Sequence, residues 1–290
     1  MNNRMSNRLF DGINLILLTV SVLICLAPFI HILAISFSSN RAVTSGEVTL
    51  LPVEFDLHAY RSVFSDMTMI HSLGFTVLLT VLSTVLCMAM TIAAGYPLTK
   101  RGLKGKKLIM VIILITMFFS GGIIPEYILV KDLHLLNTIW SLVLPGLISP
   151  FYLIILISFM GGIPASLEEA AEIDGATPLG ILVRVVLPLS LPVLTTLSLF
   201  YAVGRWNGFQ DTLLYITKSE LYPLQLKLYQ LVQNNMITDL TANEGPGVTR
   251  AAPESLKAAS VMFATVPILL VYPWLQRYFV NGVMLGAVKG

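Results

Sequence analysis

The chain has 290 residues, of which 56% are hydrophobic and 12% are charged, and its formal net charge is +2. A soluble domain carries about 25% charged residues. The composition, with a mean hydropathy of +0.81, therefore excludes an ordinary soluble domain and indicates an integral membrane protein. The small net charge gives no reason to expect nucleic-acid binding.

The first apolar run, residues 13–35, has no formally charged residue and follows Arg4, Arg8 and Asp11. A charged start and an apolar body could indicate a cleaved signal peptide. The run is longer than the roughly 7 to 15 apolar residues of a signal peptide, and no convincing small-residue cleavage site follows it. We therefore expect an uncleaved first membrane span.

Five further apolar runs follow, at residues 73–98, 108–129, 138–160, 181–203 and about 258–275. A transmembrane helix needs roughly 20 apolar residues, so each run is close to the required length. Proline and glycine residues inside several runs predict kinks and close packing. The sequence thus predicts an all-α integral membrane protein with six transmembrane helices.

Basic residues crowd the short connection between the second and third predicted spans: Lys100, Arg101, Lys104, Lys106 and Lys107. Such density is typical of cytoplasmic loops, so we expect both termini inside the cell. The predicted regions are an N-terminal tail, first span and external connector (residues 1–70), a transmembrane domain with spans two to six (71–282), and a cytoplasmic tail (283–290). The longest external loop falls at about residues 206–256.

A short polar stretch, the acidic segment (residues 166–177), interrupts the apolar sequence between the fourth and fifth spans. Ser166 and Glu169 have the spacing of a capping box, which predicts a helix start. Gly175 is suited to end that helix, and Thr177 with Pro178 is suited to start the next one. A short surface helix at about residues 166–175 is expected. It is either a solvated connection between spans or a docking element for a cytoplasmic partner.

The order of residue types in this stretch resembles the EAA signature of membrane subunits of bacterial ATP-binding cassette (ABC) importers. The matching residues are Glu169-Ala170-Ala171, Gly175, Val185 in place of the usual isoleucine, and Leu187-Pro188. The string EEAAEIDGAT, residues 168–177, is similar to the carbohydrate-uptake branch that includes the maltose permease subunits. The resemblance extends from the second span to the C-terminus and includes a WNGF segment at residues 206–209.

This resemblance implies a permease subunit of a carbohydrate importer in the bacterial cytoplasmic membrane, working by alternating access. It implies four kinds of partner: a second related permease subunit, two cytoplasmic ATPase subunits, an external solute-binding protein and a carbohydrate. The coupling-helix role of the family carries over to Glu168, Glu169, Ala170, Ala171, Asp174 and Gly175. The nearest branch handles complex or acidic oligosaccharides, such as those from pectin or alginate.

The chain has no G-x-x-x-x-G-K-S/T phosphate loop, so ATP and Mg are expected in the partner ATPase subunits, with no cofactor held by this chain. It is expected to be a transport subunit and not an enzyme. A metal site is not expected either, because Cys25 and Cys87 lie in apolar runs and the His residues have no neighbouring ligand pattern.

Candidate substrate-pathway residues combine aromatic faces with polar groups: Tyr152, Tyr201, Arg205, Trp206 and Asn207, with Gln210 as a further possibility. Anchoring at the membrane interface is the alternative role for the Tyr and Trp residues, and ion pairing or snorkelling is the alternative for Arg205. Glu126 is a second ionisable residue near the outer end of a span. The hydroxyl side chains of the second span either line the path or pack helices: Thr76, Thr80, Ser83, Thr84 and Thr91.

Other functions remain possible at this stage. The chain could serve a non-sugar solute, or it could be an ATP-independent secondary transporter. A secondary transporter often has inverted repeats or a coupling carboxylate near the midplane, and the sequence shows neither. A membrane enzyme would need a concentrated catalytic constellation, which four dispersed His and two Cys do not supply.

Overall fold

A computed structural model describes the backbone of residues 2–100, 102–241 and 253–287, and the side chains of residues 10–100, 102–233 and 253–271. The regular secondary structure in these ranges is helical, with turns and irregular segments between the helices and an isolated antiparallel bridge between Ser38 and Phe55. The predicted all-α class is confirmed. Arg101, part of the predicted external loop (residues 242–252) and the last three residues of the predicted tail lie outside the described residues.

The α-helices in chain order are α1 (Asn2–Ser36), α2 (Asn40–Thr44), α3 (His58–Ser65), α4 (Met67–Thr99), α5 (Lys106–Phe118), α6 (Ile123–Asp132), α7 (Trp140–Val143), α8 (Pro150–Met160), α9 (Ala165–Ile173), α10 (Pro178–Ile181), α11 (Leu187–Leu189), α12 (Leu191–Asn207), α13 (Gln210–Tyr215), α14 (Leu224–Thr241) and α15 (Glu254–Ala287). A π-helical turn, Leu182–Val186, joins α10 to α11, and a 3-10 turn, Ser219–Leu221, precedes α14.

Three continuous helices are long and apolar enough to cross a membrane: Phe10–Ser36, Met67–Thr99 and Glu254–Val271. They correspond to the predicted first, second and last spans. Three bent helix pairs pass the same test only as pairs, so the described residues hold three candidate spans, or up to six if each pair is one span. Multiple spans are therefore present, and the count of six remains a prediction.

The predicted third and fifth spans are bent and not straight. α5 and α6 meet at 114°, where Gly122 has φ +90° and Pro125 follows one turn later. α10–α11 and α12 meet at 82° around Ser190, next to Pro192 in the first turn of α12. A left-handed glycine and a proline both interrupt the helical hydrogen-bond ladder, which accounts for these bends.

The predicted fourth span, residues 138–160, is interrupted, in agreement with the kinks expected at its proline and glycine residues. Only Trp140–Val143 and Pro150–Met160 are helical in this run. Pro150 cannot extend a helix that enters from its N-terminal side, because it lacks the amide hydrogen and disfavours helical geometry at the residue before it. Ser149 instead caps α8, its side chain accepting from the Tyr152 amide.

The described residues fall into two compact units: one combines residues up to Ile70 with Leu228–Pro267, and the other combines His71–Lys227 with residues from Ile268 onward. In the first unit, the predicted polar connector, residues 36–70, is folded. The ring of Phe37 stacks on Phe55, with 5.5 Å between centroids. Ser39 caps α2, and Arg41 forms an ion pair with Glu54.

The second unit has two apolar cores that share α4. One joins α4 to α8, α10 and α12 through Met88, Leu156, Ile181 and Leu197 among its buried residues. The other joins α4 to α6, α7 and α13 through residues that include Phe75, Leu79, Val130, Leu142 and Tyr215. The first core supports the acidic segment, and both contribute to the cavity described below.

Candidate functional site

The helix of the acidic segment, α9, begins one residue earlier than predicted. Its N-cap position is Pro164, and no side chain forms a capping hydrogen bond there. Ser166 already lies in the first turn, so it cannot occupy the N-cap position that a capping box requires. The capping-box prediction for Ser166 and Glu169 is therefore wrong, although the predicted short helix is present.

The end of α9 follows the prediction. Gly175 has φ +79°, and its amide donates to the Glu172 carbonyl at 3.0 Å. The Ala176 amide donates to the Ala171 carbonyl, also at 3.0 Å, which completes a Schellman turn. Thr177 then caps α10, accepting from the Gly180 amide at 3.2 Å. The direction of the chain between α9 and α10 is thus set by paired backbone groups.

Most of the residues of the acidic segment that were predicted to contact the ATPase are exposed to solvent. Glu169, Ala170, Asp174 and Gly175 are exposed. Ala171 is half-buried against the apolar core that joins α4, α8, α10 and α12. Sequence reasoning missed one feature: the exposed side chains of Leu167 and Ile173, the latter 87% exposed, add apolar groups to the surface that carries the carboxylates.

Glu168 is turned inward and forms an ion pair with Lys100, the residue after α4. The Lys100 ammonium also lies over the Tyr96 ring, 4.2 Å from its centroid. Burial lowers the pKa of Lys100, but the Glu168 carboxylate and the Tyr96 hydroxyl outweigh this effect, so its pKa lies above its usual value. The two partners are 68 positions apart in the chain, and no local sequence pattern indicates their contact.

A cavity of about 350 Å³ lies within the second unit. Its lining includes three predicted pathway residues, Tyr152, Tyr201 and Arg205. It also includes other aromatic and polar side chains: Ser83, Glu126, Phe200, Asp211 and Tyr215. Trp206 and Asn207 do not line this cavity, and their pathway roles remain predictions.

The hydroxyl of Tyr201 is used within the protein. It shares a hydrogen bond with the Thr91 hydroxyl at 2.9 Å and accepts from the Ser149 amide at 3.0 Å. Its ring meets Tyr152 edge to face, with 4.8 Å between centroids. Tyr201 therefore connects α4, the N-terminus of α8 and α12, while its ring remains part of the cavity wall.

Arg205 is a paired arginine. Its guanidinium donates to the Asp211 carboxylate and to the Leu142 carbonyl, and 13% of its side chain is exposed. Burial raises the pKa of the Asp211 carboxyl above its ordinary value, and the charge of Arg205 opposes that rise. Of the two roles considered for Arg205, the structure thus shows an ion pair that joins α12 to α13.

Trp206 and Asn207 have other environments. The Trp206 indole nitrogen is buried and has no hydrogen-bond partner among the described residues. The Asn207 amide donates to the Val203 carbonyl of its own helix at 2.9 Å. Asn207 lines a second hollow of about 310 Å³ together with Gln210.

Asp211, Tyr215 and Phe200 are among the cavity residues that were missed at the sequence level. Burial, followed by the charges of Glu126 and Asp211, raises the pKa of Tyr215 to about 12. An acidic residue six positions after Arg205 was a visible signal, but a spacing of six does not by itself bring two side chains together on a helix. The break at Gly208 between α12 and α13 makes their contact possible.

The hydroxyl side chains of α4 divide between the two roles considered for them. Ser83 lines the cavity. Thr91 binds Tyr201, and Thr76 accepts from the Leu224 amide at 2.8 Å, which is a packing role. Across the residues with described positions, no three His, Cys, Asp or Glu side chains are arranged to hold a metal ion.

Comparison with known proteins supports the resemblance seen in the acidic segment. The family described as "Binding-protein-dependent transport system inner membrane component" matches residues 88–284. The chain is 42% identical to Protein LplC of Bacillus subtilis (strain 168), over 100% of this chain and 98% of that protein. It is 43% identical to the polygalacturonan/rhamnogalacturonan transport system permease protein YtcP of the same organism, over 99% and 100% of the two chains.

A solved structure also matches nearly the whole chain. It is a bacterial ABC transporter involved in the import of the acidic polysaccharide alginate, with a TM-score of 0.85, 32% identity, and coverage of 94% of this chain and 98% of that chain. A second structure, an alginate ABC transporter in complex with an alginate pentasaccharide-bound periplasmic protein, shares the fold at a TM-score of 0.56 and 18% identity. This multi-pass membrane protein belongs to the family of inner-membrane components of binding-protein-dependent transport systems.

Proposed function

We propose that this chain is the transmembrane permease subunit of an ATP-driven ABC importer that moves an oligosaccharide by alternating access. The observation that carries the proposal is the full-length similarity to YtcP, a polygalacturonan/rhamnogalacturonan permease. The structural likeness to an alginate importer supports the same substrate class. The substrate is accordingly an acidic oligosaccharide, delivered by an external solute-binding protein.

The membrane topology in this proposal has six spans, with both termini and the acidic segment on the cytoplasmic side. The pair α8 and α9 is not one span, because α9 carries three glutamates, which are costly in hydrocarbon. At about 1.5 Å per residue, α8 alone reaches only about 16 Å, short of the roughly 30 Å of the bilayer core. The fourth crossing therefore includes residues 138–149, where the non-helical backbone on either side of α7 needs protein around it.

The acidic segment is proposed as the docking site for the ATPase subunits, which hold ATP and Mg. Its exposed face combines small residues, Ala170 and Gly175, with the carboxylates of Glu169 and Asp174. Small residues permit close approach of another chain, and the carboxylates favour a partner with basic groups. This chain supplies movement and substrate contacts, and it hydrolyses no ATP itself.

The connection from α9 to the spans supports the coupling role. The Schellman turn at Gly175 and the cap at Thr177 leave few ways for α9 to move without α10. Ala171 and Ala176 also pack into the core that holds α8 and α12. A displacement of α9 by the ATPase is therefore expected to move the bent fifth span as a unit.

The cavity is proposed as this chain's part of the substrate path. Tyr152 and Phe200 offer aromatic faces to sugar rings, and Ser83 offers a hydroxyl. Among the described lining residues, the single cation, Arg205, is paired with Asp211, so Glu126 leaves an excess of negative charge. Cationic groups for the substrate carboxylates are therefore expected on the second permease subunit.

The test is reconstitution of this chain in liposomes with its second permease subunit, the ATPase and the binding protein. Loaded binding protein should stimulate ATP hydrolysis, and labelled galacturonate oligosaccharides should enter only when ATP is present. Uptake by this chain alone without nucleotide would indicate a secondary transporter. Stimulation by a non-sugar solute, with none by any oligosaccharide, would overturn the substrate class.

A further inference from the structure

We infer that Lys100 is a positioning residue for energy coupling, because its ion pair with Glu168 connects the acidic segment directly to α4. The inference rests on the proposed importer function and extends it. It gives Glu168 a role inside this chain, in contrast to the other carboxylates of the acidic segment, which face outward.

Lys100 is held by several contacts at the end of α4. Its amide donates to the Pro97 carbonyl at 3.1 Å, so its backbone continues the last turn of the helix. Its ammonium is held between the Glu168 carboxylate and the ring of Tyr96. Tyr96 is itself buried in the core that joins α4 to α8 and α12. The ammonium is therefore anchored to the transmembrane core as well as to α9.

Glu168 differs from its acidic neighbours. Its side chain is 20% exposed, whereas Glu169, Glu172 and Asp174 are exposed residues. Within the described part of the chain, those three carboxylates form no ion pair with any side chain of this protein. They remain accessible to a basic partner, while the charge of Glu168 is already balanced by Lys100.

The ion pair connects α9 to α4, in addition to the chain itself, which joins α9 to α8 at one end and to α10 at the other. The chain connection to α10 runs through Gly175 and Thr177. The connection through Lys100 leads into α4, a continuous helix that reaches Ser83 at the cavity. At about 1.5 Å per residue, this part of α4 is about 25 Å long.

The two connections end on different walls of the cavity. α4 contributes Ser83, and α12, which follows the bent half-span from α10, contributes Tyr201 and Arg205. Without the ion pair, a displacement of α9 would pass to α10 and α12 with less effect on α4. With the ion pair, a push on α9 moves both walls together. The predicted consequence of breaking the pair is ATP hydrolysis that continues with less transport.

The test uses the reconstituted complex and the ratio of oligosaccharide imported to ATP hydrolysed. Lys100→Met and Glu168→Gln should each lower this ratio several-fold. The double variant should be no worse than either single variant, because both remove the same interaction. Lys100→Arg keeps the charge and should preserve the ratio. A partly exposed ion pair contributes little to folding, so all variants should assemble in normal amounts.

Lys104→Met is the matched control, since Lys104 lies in the same connection, is exposed, and forms no ion pair in the described structure. Its ratio should equal that of the unchanged complex. The inference fails if Lys100→Met leaves the ratio unchanged, if Lys104→Met lowers it equally, or if Glu168→Gln alone weakens ATPase binding. Absence of ATP-dependent uptake in the unchanged complex would instead count against the proposed function.

Discussion

The acidic segment and the cavity are built in opposite ways. The turn and cap of the acidic segment involve residues 171–180, so their hydrogen bonds are local in the chain. The cavity gathers side chains that are far apart in sequence, from Ser83 on α4 to Tyr215 on α13. Local hydrogen-bonding patterns leave a visible sequence pattern, whereas a cavity assembled from distant elements does not.

The two regions also treat charge differently. In the acidic segment, Glu169, Glu172 and Asp174 are exposed and form no ion pair within the described structure. In the cavity, the charge of Arg205 is balanced by Asp211. A docking surface benefits from charges that a partner can meet, while a transport path must bind substrate weakly enough to release it. The predictions below test this contrast.

The largest effect is expected for Gly175→Leu, which should abolish uptake. A β-carbon at residue 175 would meet no atom within 4 Å, so local crowding is not the cause. The cause is the backbone: φ is +79°, and an L-residue pays about 1–2 kcal/mol in this left-handed region. The leucine would also protrude from the docking surface. ATP-dependent uptake by the reconstituted complex is the measurement.

Gly175→Asn is the matched control for this change. Asparagine tolerates the left-handed conformation, so it should retain the turn and much of the uptake. Equal loss in both variants would indicate that the surface at residue 175 matters and the turn does not. Normal uptake by Gly175→Leu, at normal membrane levels, would overturn the coupling role of the acidic segment.

The second effect is expected for Asp211→Ala, which leaves the guanidinium of Arg205 without its counter-charge. Breaking a fully buried pair costs about 3–5 kcal/mol. This pair is partly exposed, so we expect about 2 kcal/mol of destabilisation and loss of most uptake. Thermal unfolding of the purified complex measures the destabilisation. A Tm equal to that of the unchanged complex would contradict a stabilising role for the Arg205–Asp211 pair.

Two comparisons sharpen this prediction. Arg205→Met combined with Asp211→Leu should be less destabilising than Asp211→Ala, because no charge is left unpaired. Arg41→Met breaks the exposed pair with Glu54 and should leave the Tm unchanged. A larger fall in Tm from Arg41→Met than from Asp211→Ala would contradict the expectation that the Arg205–Asp211 pair contributes more to stability than the exposed Arg41–Glu54 pair.

Features that depend on neighbouring residues in the chain were predicted better than features that depend on distant residues. The helix end at Gly175 and the cap at Thr177 were correct because their geometry depends on residue type within one turn. The capping box failed because Pro164 moved the start of α9 by one residue. Over residues 138–160 the proline and glycine residues correctly indicated an interruption, but residue type did not show how much of the run would be non-helical.

For the cavity, residue type indicated Tyr152, Tyr201 and Arg205 but not what each does. The hydroxyl of Tyr201 binds Thr91, which is 110 positions earlier in the chain. The Arg205 guanidinium reaches the carbonyl of Leu142. Such partners become neighbours only after the helices pack, so no window of sequence contains the information.

A smaller effect is expected for Tyr201→Phe, which keeps the ring and removes the hydroxyl. The buried hydroxyl of Thr91 and the Ser149 amide would each lose a hydrogen bond. An unsatisfied buried group costs about 1–3 kcal/mol, so the Tm should fall. The KM for oligosaccharide uptake should remain close to that of the unchanged complex. A raised KM at an unchanged Tm would instead show that the hydroxyl contacts substrate.

Tyr152→Phe is the control for Tyr201→Phe. The ring of Tyr152 lies in the same aromatic group, 5.7 Å from Phe200 between centroids. Its hydroxyl has no hydrogen bond to another described residue, so its removal should leave the Tm unchanged. A fall in Tm equal to that of Tyr201→Phe would mean that the two hydroxyls contribute alike, contrary to the hydrogen-bond geometry.

The smallest effect is expected for Glu126→Gln, and it tests the sign of the cavity charge. Among the described lining residues, Glu126 is the carboxylate that Arg205 does not balance, so its charge should repel an anionic sugar. Removing it should raise the uptake of a galacturonate oligosaccharide relative to a neutral oligosaccharide of the same length. The gain should be about two- to threefold, since solvent and salt screen a charge in an open cavity.

Glu47→Gln is the control, because Glu47 lies in the polar connector of the first compact unit and does not line the cavity. It should not change the ratio of acidic to neutral oligosaccharide uptake. The result of Glu126→Gln separates two ways of building an acidic-sugar path. A higher ratio means that this chain opposes the substrate charge, so the second permease subunit must supply the attraction. A lower ratio means that the Glu126 carboxylate orients the hydroxyl of its neighbour Tyr215 toward the substrate. In that case the charge of Glu126 contributes directly to recognition of the acidic sugar.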